Sequence, residues 1–215
     1  MRTFTDCCAE PLYGCAVGTN SETNFATYVG AKYGVDVNSA TTAMHLAFLS
    51  LGIGPGDEVI TVRFTFVATV AAILYTGAKA VLVYVDPLSW NMNPQLIEAA
   101  ITPRARAIMP VDLHGCPADM ASITGVASKH GIPVIEDAAQ AHGAEISGRR
   151  CGTIGDSGCF SFYPGKNLGA HGERGMVFTN NDMHANKIRM LRDWGQVHKY
   201  IIEWKDYKAQ YSGLN

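Results

Sequence analysis

Gly158-Cys159-Phe160-Ser161-Phe162-Tyr163-Pro164-Gly165-Lys166-Asn167-Leu168-Gly169-Ala170 begins as an apolar run and ends as a turn. The run through Phe162 reads as a strand, and Pro164-Gly165 ends it. Lys166 is presented at that turn. A lysine held at a strand end beside a tight turn has little freedom to wander. Where its surroundings lower its pKa it becomes a nucleophile toward carbonyls, which is Schiff-base geometry.

Upstream of this stretch, short strands alternate with helical segments. A helix is expected from Glu22, with Phe25, Tyr28 and Val29 at helical spacing and Gly30 as its stop. A strand follows at 33–37, then a helix at 41–51 ended by Gly52. Gly54-Pro55-Gly56-Asp57 is a turn into a β-branched strand at 58–62. Residues 66–75 are apolar nearly all round and close at Gly77, as expected of a helix buried on a sheet. Strands at 80–85, 107–111 and 134–136 alternate with a helix opened by Asn93-Pro94 and another at 118–129. This order indicates parallel βαβ units with right-handed crossovers. Downstream, 157–162 and 175–179 lie too close together for such a crossover, so antiparallel or remote pairing is expected. A last helix is expected at 182–194.

The 215 residues, 47% of them hydrophobic, suffice for one domain core, or one with an appendage. A net charge of -2 offers no electrostatic footing for nucleic acid or an anionic membrane surface. No apolar run approaches the roughly 18 residues that span a bilayer. Acidic residues stand where a signal peptide needs an apolar stretch, so the chain reads as uncleaved and cytoplasmic. Cys116, Cys151 and Cys159 are scattered singly and read as free thiols. Cys7, Cys8 and Cys15 cluster without a CxxC pair or a nearby histidine, so no metal site is expected.

Two further stretches give Lys166 its context. Val134-Ile135-Glu136-Asp137-Ala138-Ala139-Gln140 is a short apolar strand ending in a carboxylate. Ser39-Ala40-Thr41-Thr42-Ala43 opens a helix with small hydroxyl-bearing residues, and taken alone it reads equally as an N-cap or as an anion site. A carboxylate for a pyridine nitrogen, an anion site at a helix N-terminus and a Schiff-base lysine are together what pyridoxal phosphate requires.

The segments Asn38-Ser-Ala-Thr-Thr-Ala, Gly54-Pro-Gly-Asp-Glu-Val, Phe64-Thr-Phe-Val-Ala-Thr, Glu136-Asp-Ala-Ala-Gln-Ala-His-Gly and Ser161-Phe-Tyr-Pro-Gly-Lys-Asn-Leu-Gly-Ala resemble, in order, the DegT/DnrJ/EryC1/StrS family. The resemblance implies an α/β fold, the three-layer αβα large domain of fold-type I pyridoxal-phosphate transferases with a mostly parallel central sheet. It assigns residues 21–215 to that domain, leaves 1–20 as an unplaced leader, and implies that the family's C-terminal small domain is absent. It implies an aminotransferase moving an amino group from glutamate to a nucleotide-linked keto sugar, with Lys166 as catalytic residue. The lysine segment resembles enzymes that aminate C3 of a deoxyhexose. As cofactor-binding residues it implies Ala40, Thr41, Thr42 and Ser161 at the phosphate, Phe66 on the ring, Asp137 at the pyridine nitrogen, Gln140 near the phenolic oxygen, and Asn215 at the phosphate of a neighbouring copy in a homodimer.

Relatives that dehydrate sugars carry histidine at the position of Lys166, so the lysine favours transamination. Several residues depart from the family's pattern: Ala40 for glycine, Arg63 for a small residue, Asp112 and His114 for histidine and tyrosine, and Arg174 for glycine in Gly172-Glu-Arg-Gly175. An arginine in place of that glycine would take a positive φ only at a cost. Arg174, Ala40 and the missing small domain raise the alternative of an impaired or non-catalytic remnant. His114, His142 and His171 lie near the motifs and read as structural histidines.

Overall fold

The structure, a computed structural model, describes residues 16–198 and 201–202. Cys7, Cys8, Cys15 and Asn215 lie outside the described residues.

Helix α1 (Ala16–Val29) leads into strand β1 (Tyr33–Val37), helix α2 (Ala40–Ser50), strand β2 (Glu58–Val62), helix α3 (Val67–Tyr75) and strand β3 (Lys79–Val83). The short helix α4 (Ile97–Ala100), strand β4 (Ala105–Met109), helix α5 (Met120–His130) and strand β5 (Ile135–Asp137) follow. A small hairpin, β6 (Glu145–Ile146) with β7 (Arg149–Arg150), precedes β8 (Ser157–Ser161), β9 (Gly175–Thr179), α6 (Asp182–Arg192) and a last ribbon of β10 (Gln196–His198) and β11 (Ile201–Ile202).

The strands form one ordered surface. β3, β2 and β4 pair in parallel, β5 pairs in parallel with β8, and β9 pairs antiparallel with both β8 and β1. Parallel bridges Ile108↔Val134 and Val111↔Asp137 join β4 to β5. The order is therefore β3-β2-β4-β5-β8-β9-β1, with β9 alone reversed. The close spacing of β8 and β9 gives the antiparallel pairing expected of it.

Successive residues of a strand face opposite sides of a sheet, and the core divides accordingly. Val59, Ala107, Met109, Cys159 and Val177 pack on one side with Ala43, Phe48 and Ile73 of α2 and α3 and Ile188 of α6. Ile60, Val62 and Ile108 pack on the other with Met120, Ile123 and Ala127 of α5. Phe160, Met176 and Phe178 meet Ala26 and Val29 of α1. A sheet buried on both faces between helices is the expected three-layer arrangement.

Several boundaries differ from expectation. The helix expected from Glu22 starts at Ala16, so part of the supposed leader is helical. The segment opened by Asn93-Pro94 is a 3-10 turn, Pro94–Leu96, running into α4 rather than one full helix. The last helix stops at Arg192 instead of 194, and Trp194 takes φ 58°. The largest difference is α3. Only Thr69, Ala72 and Ile73 of it are buried, whereas Val67 is 69% exposed and Tyr75 66%. An all-apolar helix buries all round only when something covers its outer side.

Candidate active site

Six of the seven strands run one way, so their carboxyl ends share an edge, and the turn entering reversed β9 returns there. Ligands collect at that edge in open α/β sheets. A cleft of about 620 Å³ opens at it, lined by residues that follow β1 (Ser39, Ala40, Thr41), β2 (Thr65, Phe66) and β4 (Val111, Leu113). The ends of β5 and β8 add Asp137, Gln140, Ser161, Tyr163 and Lys166, and Glu173 comes from just before β9. Residues up to 134 positions apart in sequence thus meet because the topology returns each parallel strand to the same edge.

Each side chain has a local reason for its place. Ser39 is the N-cap of α2: its Oγ accepts from the Thr42 amide at 3.1 Å, a contact typically worth about 1 kcal/mol. The Ala40 and Thr41 amides have no carbonyl one turn back to bond, which leaves them for an anion. Thr42 does not line the cleft; its amide and hydroxyl are both engaged by Ser39 Oγ, so the cup is built by Ser39 to Thr41. Gly175 passes directly behind it. A Cβ there would lie 2.3 Å from the Ser39 carbonyl carbon and 2.5 Å from the Ala40 nitrogen, so only glycine permits this approach.

Lys166 is half-buried within an exposed turn, its amide bonded to the Tyr163 carbonyl at 2.9 Å. Ser161 is buried at the end of β8, and Phe66, the N-cap residue of α3, leaves 65% of its surface open. Gln140 Oε1 accepts from the His114 amide at 2.8 Å, so its NH₂ is the end left for the cleft. His142 packs edge-on to Phe160 and Phe162, and burial favours its neutral form. Asp137 lies on the floor. Its Oδ2 accepts from Thr69 Oγ1 at 2.6 Å and its Oδ1 from the Ala139 amide at 3.2 Å. Burial holds the Asp137 carboxyl above its ordinary range, and those donors and the charge of Lys166 offset this only in part.

Arg174 is not strained. It lies outside the positive-φ residues, so the cost expected of replacing glycine does not arise. Instead its guanidinium is bidentate on Asp36 of β1, at 2.8 and 2.5 Å. Among the described residues no group of three or more His, Cys, Asp or Glu side chains could hold a metal.

The cleft therefore joins Ala40, Thr41, Phe66, Asp137, Gln140, Ser161 and Lys166, and leaves Thr42 aside. Ser39, Thr65, Thr69, Tyr163 and Glu173 were not singled out from the sequence. Ser39 was legible as a cap. Thr65 and Thr69 carried a fainter signal, two hydroxyls at i, i+4 where an otherwise apolar helix begins.

The residues suit pyridoxal phosphate on observations of the fold itself. A cleft of this size accommodates it. Open amides at a helix N-terminus suit the phosphate, a buried carboxylate suits the pyridine nitrogen, an open aromatic face suits the ring, and a half-buried lysine suits the aldehyde.

The family model described as the DegT/DnrJ/EryC1/StrS aminotransferase family matches residues 18–215. The chain is 48% identical over 182 residues to the UDP-2-acetamido-2-deoxy-3-oxo-D-glucuronate aminotransferase of Pseudomonas aeruginosa, covering 85% of this chain and 51% of that one. It is 47% identical over 184 residues to the dTDP-3-amino-3,4,6-trideoxy-alpha-D-glucose transaminase of Streptomyces venezuelae, covering 86% and 48%. Among solved structures it resembles S. venezuelae DesV in complex with a ketimine intermediate, with TM-score 0.84 and 46% identity over 86% of this chain and 50% of that one. The chain spans about half the length of the curated relatives it matches.

Proposed function

The chain belongs to the DegT/DnrJ/EryC1/StrS aminotransferase family, whose members depend on pyridoxal phosphate, and we propose that it forms the cofactor-binding part of an enzyme that moves an amino group from glutamate to a nucleotide-linked keto sugar. The observation that carries this reading is the meeting of Lys166, Asp137 and the N-terminus of α2 in one cleft. Relatives at 47–48% identity named for UDP-linked and dTDP-linked sugars support the substrate class.

The cofactor, when bound, supplies an electron sink for the carbon that exchanges the amino group. The chain does the rest. The Ala40 and Thr41 amides, with Ser161, hold the phosphate. Phe66 covers the ring and keeps water from its face. Asp137, by its negative charge, holds a proton on the pyridine nitrogen, and Gln140 offers its NH₂ to the phenolic oxygen. Lys166 would anchor the cofactor through its amine, and its Nζ would hold and move a proton at the substrate carbon.

The same reading includes a homodimer working in the cytoplasm. The open apolar side of α3 supports association, and the free thiols Cys116, Cys151 and Cys159 suit a reducing compartment. In this reading Asn215, which lies outside the described residues, would serve the phosphate of the neighbouring copy, as the family resemblance implies.

The test is amine transfer by the purified chain with pyridoxal phosphate, glutamate and a panel of UDP- and dTDP-linked keto sugars. Amino sugar and 2-oxoglutarate are expected in equal amounts, and Lys166→Ala should abolish both. Absence of product with every sugar, or full turnover by Lys166→Ala, would contradict the proposal.

A further inference from the structure

The buried partners of Asp137 form a directed chain. Thr69 is fully buried on the first turn of α3, and its single hydroxyl proton is spent on Asp137 Oδ2. The 2.7 Å contact between Thr69 Oγ1 and Thr65 Oγ1 then has one assignment, with Thr65 as donor, because a hydroxyl donates once. Donation thus runs from Thr65, which lines the cleft, through Thr69 to the carboxylate.

We propose that Thr69, supported by Thr65, is a positioning residue that keeps Asp137 ionised and fixes its rotamer, so that the pyridine nitrogen of the cofactor meets a carboxylate and not a carboxylic acid. The inference rests on the reading of the cleft given above.

Ionisation needs such help at this position. The charged or titratable groups facing Asp137 are Lys166 from the turn after β8, Asp112 just beyond β4 and Cys159 on β8, whereas Glu136, next to it on β5, points to the other side of the sheet and is held by the Gly152, Ile154 and Gly155 amides. Lys166 alone among them is cationic. Burial opposes the charge, and Asp112 is coupled to it unfavourably, whereas the Thr69 hydroxyl, the Ala139 amide and Lys166 favour it. A hydroxyl donor also fixes direction. Asp137 has one oxygen on Thr69 and the other on Ala139, so the carboxylate plane is set before any ligand arrives. A hydrogen bond to a charged group is typically worth a factor of about 10 to 100.

The experiment compares the unaltered 215-residue chain with Thr69→Val, Thr69→Ser and Thr65→Val. The first readout needs no cofactor: the pH titration of the Asp137 carboxyl carbon by ¹³C NMR, assigned with Asp137→Asn. Thr69→Val should raise the midpoint, Thr69→Ser should return it to the original, and Thr65→Val should raise it less. The second readout is affinity for pyridoxal phosphate at neutral pH. Thr69→Val should lose about tenfold or more, recover part of the loss at higher pH as Asp137 ionises, and be rescued by Thr69→Ser. An unchanged midpoint in Thr69→Val, or a Thr69→Ser variant as impaired as Thr69→Val, would overturn the proposal. Should Thr69→Val fail to fold, Thr65→Val carries the test, and an unchanged midpoint there overturns it. If the unaltered chain binds no pyridoxal phosphate, the reading of the cleft fails, while the NMR result still decides whether Thr69 holds Asp137 ionised.

Discussion

Asp112 has one carboxylate oxygen on the Ala118 amide at 2.9 Å, while Oδ2 accepts no full hydrogen bond among the described residues and has the Cys151 thiol beside the carboxyl. Burial first, and the nearby Glu136 charge second, push its carboxyl up to about 7 from 3.8. The folded state therefore binds the proton more tightly than the unfolded one. Stability from this group is complete below about pH 4 and is lost as pH rises through 7, at up to ~1.4 kcal/mol per pH unit. Asp112→Asn keeps an acceptor for Ala118 without the charge. Urea denaturation across pH 4 to 8 should show a flatter profile for that variant and a gain over the unaltered chain at pH 8. Parallel profiles would refute the assignment. The residues of the cleft differ in how far the sequence disclosed them. Lys166, Asp137 and Phe66 each stand where a strand hands over to a turn or helix, and their chemistry is local. Thr69 is 68 positions from its partner Asp137, so nothing short of the fold could pair them.

At the scale of elements, the turn carrying Lys166 is tied to β1 by a clamp. The Phe162 amide donates to the Arg174 carbonyl at 2.8 Å, closing the loop, and Arg174 grips Asp36. Ser21 of α1 also accepts from the Arg174 guanidinium, and Arg192 of α6 bonds Glu22 at 2.6 Å and the Asp36 carbonyl at 2.8 Å. Side-chain exposure of 31% for Arg174 and 20% for Asp36 makes this pair intermediate between surface and buried. A coupling of about 2 kcal/mol is expected from a double-mutant cycle of Arg174→Met and Asp36→Asn. Arg174→Met alone should destabilise most, because it leaves Asp36 beside Glu22 without its counter-charge. Additive effects would show that the clamp carries no stability. The β/α alternation was visible because period and turn residues are local properties. The fate of Arg174 was not, since its counter-ion lies 138 positions away. The open side of α3 was likewise hidden, because composition marks a helix as apolar without saying what lies on top of it.

Across the whole molecule, seven strands place six carboxyl ends and one returning turn at a single edge, and every cofactor contact proposed within the described residues comes from that edge. The chain spans about half the length of its curated relatives, and the step that depends on its own residues alone is cofactor loading: the cleft should assemble around pyridoxal phosphate and direct it to one lysine. The direct measurement is addition of pyridoxal phosphate to the purified chain, borohydride reduction, and peptide mapping of the fixed label. A visible absorbance band, with the label on Lys166 and lost in Lys166→Ala, is the predicted result. A label spread over surface lysines such as Lys79 and Lys129, unchanged by Lys166→Ala, would contradict it.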